Sequence, residues 1–114
     1  MPTKDQQTNT AAAITAIRNA QNLLTQQIRV ATDTLAAIKL TNEYNNLDSF
    51  LSQLLQAQNS ADDASFNAAT AALKSHVDGL SADLASIKSI VQDVKMAADI
   101  VSYITQVVGL IAKL

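Results

Sequence analysis

The stretch QAQNSADDASF, residues 56–66, divides an otherwise helical sequence in two. Asn59 and Ser60 carry side chains that compete for backbone hydrogen bonds, so they end helices more readily than they continue them. Ser60 followed three residues later by Asp63 resembles a capping box with Asp in place of Glu or Gln. The acidic pair Asp62 and Asp63 suits the positive end of a following helix better than it suits a cation loop. A turn near 58–63 therefore joins two long arms.

Downstream of that turn, Phe66, Thr70, Leu73, Val77, Leu80, Leu84, Ile87, Val91, Val94, Ala98, Val101, Thr105, Val108 and Ala112 recur at alternating four- and three-residue steps. Such spacing lines one face of a helix. Gly79 costs about 1 kcal/mol against Ala inside a helix, which permits a bend there without requiring an end. Upstream, Ile14, Ile17, Gln21, Leu24, Ile28, Ala31, Leu35 and Ile38 form a similar stripe. A second one, Leu40, Tyr44, Leu47, Leu51 and Leu54, starts near the opposite side of the helix at about 100° per residue. The jump falls beside the Asn-rich LTNEYNNLDS, residues 40–49, and predicts a kink or break within 41–48. Residues 1–9 are polar and read as a flexible tail, leaving 10–114 as one helical domain.

The expected fold class is all-α: an antiparallel helical hairpin with kinked arms, forming a four-helix bundle by fold-back or by dimerisation. Composition agrees, with 48% hydrophobic residues, 4% aromatic, two Gly and one Pro. Ala, Leu and Gln cost little in helices, and the residues that break them are scarce.

The C-terminal stretch DIVSYITQVVGLIAKL, residues 99–114, carries two charges. It shows two parallel apolar seams, one through Ala98, Val101, Thr105, Val108 and Ala112, the other through Ala97, Ile100, Ile104, Val107, Ile111 and Leu114. One neighbouring helix cannot cover both. Burying a large aliphatic side chain contributes roughly 1.5–3 kcal/mol, so a wet second seam forfeits on the order of 10 kcal/mol, comparable with the stability of a whole domain. A tip folded back at 41–48 and 79 is too short to shelter the full stem.

The expectation is thus a homo-oligomer, a dimer being favoured, or a complex with a helical partner protein. Its interface would comprise Ile100, Tyr103, Ile104, Val107, Leu110, Ile111 and Leu114. Gln21, Thr70 and Thr105 interrupt the apolar stripes and are expected to pair across helices and fix their register, as a buried Asn does in coiled coils. A membrane is the alternative partner. A spanning helix needs about 20 apolar residues, and only thirteen uncharged ones separate Asp99 from Lys113. Lipid contact by residues 96–114, as a pore-forming component or a surface binder, then requires release from cover.

Nothing in the sequence points to catalysis, and no catalytic, cofactor-binding or metal-binding residue is expected. His76, the one histidine, has no carboxylate three or four residues away with which to form a helical metal or acid–base pair. Glu43 is the sole glutamate and there is no cysteine. Neither Gly belongs to a phosphate-binding loop, and no Ser sits in a nucleophile elbow. A net charge of −2, with eight basic residues scattered singly, argues against nucleic acid. MPTKDQQTNT lacks the apolar core of a cleaved signal, so the expected location is the cytoplasm, or outside by a route without a cleaved signal peptide. Together these features predict a non-enzymatic, self-associating structural or interaction module, with a membrane-active protein as the alternative.

Overall fold

Helix α1 (Lys4–Val30) begins with a reciprocal cap. The Thr3 hydroxyl accepts from the Gln6 N–H at 3.1 Å, and Gln6 Oε1 accepts from the Thr3 N–H at 2.9 Å. Two otherwise orphaned donors are satisfied, and the helix can start this early. The flexible tail expected over residues 1–9 is therefore helical from Lys4, with Pro2 buried. The computed structural model describes residues 2–60 and 62–114, so Met1 of that expected tail and Ala61 of the expected turn lie outside the described residues.

Three further helices follow: α2 (Thr34–Gln58), α3 (Asp63–Ile90) and α4 (Val94–Ala112). The turn expected near 58–63 falls between α2 and α3. Its cap is Asp62, not Ser60: the Asp62 carboxylate accepts from the Ser65 N–H at 2.8 Å, while the Ser60 hydroxyl donates back to the Gln56 carbonyl. That N–H holds the exposed Asp62 carboxyl below its ordinary range.

The expected bends near 41–48 and at 79 are not there. Helix α2 runs unbroken through the Asn-rich segment, and α3 runs through Gly79. The chain reverses instead at residues 31–33 and 91–93, about a dozen residues nearer each terminus. Aspartates make those ends too. Asp33 accepts from the Leu35 N–H and Asp93 from the Met96 N–H, both at 3.1 Å. Asp93→Ala should cost about 1 kcal/mol and Asp93→Asn much less, read as the shift in the urea midpoint. Equal losses for both would mean that the charge, not the cap, matters.

With short connections, successive helices are antiparallel, and the four close into a ring in which α1 touches α2 and α4, and α3 touches α2 and α4. The assembly measures 47 × 21 × 21 Å, two helix diameters on each short edge. Both three-residue junctions lie at one end, here the junction end. At the other, Gln6 Nε2 donates to the Leu114 carbonyl at 3.2 Å and ties the chain's beginning to its close. Phe66, Leu24, Leu47, Leu73, Leu80 and Ile104 are among the fully buried side chains on its axis.

Candidate functional site

The displaced reversals decide the fate of the expected interface. Because the reversals fall at 31–33 and 91–93, α3 spans 28 residues and α1 27, both longer than the 19 of α4. Full-length neighbours therefore flank α4, and no short tip leaves it bare. Ile100, Ile104, Val107 and Ile111 are fully buried and Leu114 nearly so, all within the chain's own core. Tyr103 and Leu110 are half-buried and pack against that core. The expectation that this set must be covered by a second molecule is corrected: α1 and α3 cover it. The other seam turns outward, with Ala98, Thr105 and Ala112 exposed and Val101 and Val108 half-buried. Beyond that outer seam, away from the buried one, lies a polar face of Lys95, Asp99, Ser102, Gln106 and Lys113, also exposed.

Of the three expected register residues, one joins two helices. Buried Gln21 on α1 donates from Nε2 to the Tyr44 carbonyl of α2 at 3.3 Å, with the Asp48 carboxylate at 3.5 Å. Thr70 is buried but donates to the Asn67 carbonyl of its own helix, and exposed Thr105 to that of Val101. A threonine on a helix can satisfy itself one turn back, whereas the longer Gln21 amide reaches across.

The structure also brings together groups that spacing alone did not. Glu43 on α2 is buried, 8% exposed, and its Oε2 has no hydrogen-bond partner. Its neighbour across the α2–α3 seam is the Asp83 carboxyl. Burial, then the hydrogen bond and the charge from Asp83, push the Glu43 carboxyl up to about 7. Two shallow grooves continue along this seam. Glu43 lines one with Lys39, Asn42, Ser86 and Ser89; Asp83 lines the other with His76, Asn46 and Ser49. Among the described residues no group of three or more His, Cys, Asp or Glu could hold a metal ion.

A second unexpected feature lies at the junction end. Among the described residues, Val30, Leu35, Ile38 and Val94 are the exposed large hydrophobics, between 53% and 82% accessible. Leu35 and Ile38 extend the first apolar stripe in sequence, yet the break at 31–33 rotates them out of the core. Val94 does the same for the second stripe after 91–93. Comparison with known protein families, characterised proteins and solved structures finds no match.

Proposed function

We propose that this chain is a non-enzymatic helical interaction module that self-associates weakly through its junction end. The observation supporting this reading is the exposure there of Val30, Leu35, Ile38 and Val94. Magnitudes set the strength. Two copies meeting symmetrically would cover eight such side chains, each already partly sheltered, for on the order of 10 kcal/mol. Association itself costs about 4–15 kcal/mol. The surplus is small, so the dimer is concentration-dependent and not obligate.

Light scattering after gel filtration, over roughly 10 µM to 1 mM (the range such a surplus implies), is the test. The mass should rise towards two copies, and changing Leu35, Ile38 and Val94 together to Ser should hold it at one copy with little change in melting temperature. A constant single-copy mass throughout would overturn the proposal, and a dimer indifferent to the triple change would remove this surface from it.

A membrane-active role is the second reading, favoured by one observation. Helix α4 is long and apolar enough to cross a bilayer by length and composition, although the same description fits a core helix of a soluble bundle. Its largest aliphatic side chains are covered, so lipid binding would require α4 to leave α1 and α3. Vesicle flotation separates the readings: the interaction module stays with the aqueous fraction, and a membrane-active chain floats.

A further inference from the structure

The α2–α3 seam contains a negative group in a place that does not suit one. Glu43 is more than nine-tenths buried, its Oε2 lacks a hydrogen-bond partner among the described residues, and an ionisable group acting on it is another carboxyl, that of Asp83. A buried carboxylate without donors is costly, and a second one beside it raises that cost. One proton removes both difficulties, because a neutral Glu43 carboxyl donates to an ionised Asp83 and the orphaned oxygen gains a partner.

We propose that Glu43 and Asp83 share one proton across the α2–α3 seam and serve as a pH-sensitive latch between these helices. With the proton in place the carboxyls attract. Without it, two neighbouring negative charges repel and the seam loosens around Glu43 and Asp83.

The charged or titratable groups along the two grooves are Lys39 on α2, one turn before Glu43, and His76 and Asp83 on α3. Helix α1 contributes no residue to either groove. From α1, the uncharged Gln21 hydrogen-bonds to this part of α2, at the Tyr44 carbonyl and the Asp48 carboxylate.

The direction of the pH effect follows. The Glu43 carboxyl titrates from 4.5 when unfolded to about 7 in the fold. The stability tied to its proton is fully present below 4.5 and is lost as pH rises through about 7. The exposed Asp62 acts oppositely and at lower pH, because its carboxyl is held down. The interval from pH 5 to 8 brackets the Glu43 transition, and comparison with Glu43→Gln separates that transition from the other titratable groups of the grooves.

The experiment follows the side-chain carboxyl carbon of Glu43 by NMR through that interval, together with the melting temperature of the wild-type chain and of Glu43→Gln. The Glu43 resonance should titrate with a midpoint near 7. Wild-type Tm should fall by about 5 °C, a figure already reduced for solvent reaching Asp83. Glu43→Gln, which keeps a donor for Asp83 without a titrating proton, should flatten that slope. A Glu43 midpoint in the ordinary carboxylate range overturns the latch, and this reading does not depend on the variant folding. An unchanged slope in Glu43→Gln also overturns it. Millimolar Mg²⁺ or Ca²⁺ at the upper end of the interval should leave Tm unmoved. Stabilisation by either ion that disappears in Glu43→Gln would replace the shared proton with a cation site and sink the proposal.

Discussion

Ile104→Ala lowers the stability of the bundle by about 3 kcal/mol, whereas Val101→Ala, three residues earlier on the same helix, costs less than about 1 kcal/mol. The contrast comes from the orientation of α4. Ile104 is completely buried, and truncating it removes apolar area and leaves a cavity that the packed helices only partly fill. Val101 is half-exposed. Its truncation loses little burial, and the better helix propensity of Ala offsets part of that. Urea denaturation with an unchanged slope reads both values. A larger loss at Val101 would place the other seam inside and reverse the assignment of the two faces.

Proline substitutions separate the observed reversals from the expected ones. Asn45→Pro, in the middle of α2, removes a helical hydrogen bond and places a ring against the preceding turn, at about 3 kcal/mol or more. Gln92→Pro should change stability by less than about 1 kcal/mol. Val91 already has φ −77° and ψ 117°, the extended conformation that a residue before proline prefers. The Gln92 N–H donates to no backbone carbonyl among the described residues, and a fixed φ also restricts the unfolded chain. Midpoints of thermal or urea unfolding decide the matter. A tolerated proline at Asn45 with a damaging one at Gln92 would restore the bend at 41–48.

What the sequence revealed and concealed has a common cause. The turn after Gln58 was legible because cap-forming residues there coincide with a gap in the apolar stripe. The reversals at 31–33 and 91–93 were concealed because the stripes cross them without a slip: Leu35 and Ile38 continue the spacing of Ile28, and Val94 that of Val91. Periodicity reports the repeat of apolar residues, not whether the backbone between them is helical. The locating signals were Asp33 and Asp93, yet Asp48, Asp78 and Asp83 look the same and lie within helices. Thr3 and Gln6 did form a legible capping pair, obscured by the polarity around them. The apolar character of α4 was also legible. Its cover was not, because the lengths of the helices beside it depend on where the reversals fall.

The acidic pair was half-legible. Leu40, Glu43, Leu47, Phe50, Leu54 and Ala57 are the buried residues of α2 and keep a three–four rhythm. The parallel row through Tyr44 and Leu51 keeps the same rhythm and is half-buried. The row through Phe50, not the one through Leu51, carries the sole glutamate on the inner face. That Asp83 meets it from α3 depends on the stagger between two helices, which no one-dimensional pattern contains.

The most direct test of whether this chain shelters its own apolar seam is thiol labelling. No cysteine is present to interfere. Ile104→Cys and Thr105→Cys variants, treated with a thiol reagent under native conditions over a wide dilution series, report on adjacent positions that face opposite ways. Labelling at position 104 should be slow at every dilution, and labelling at position 105 close to the rate of the unfolded chain. Protection at 104 that vanished on dilution would show that a second molecule provides the cover, and equal rates at the two positions would show that no cover exists.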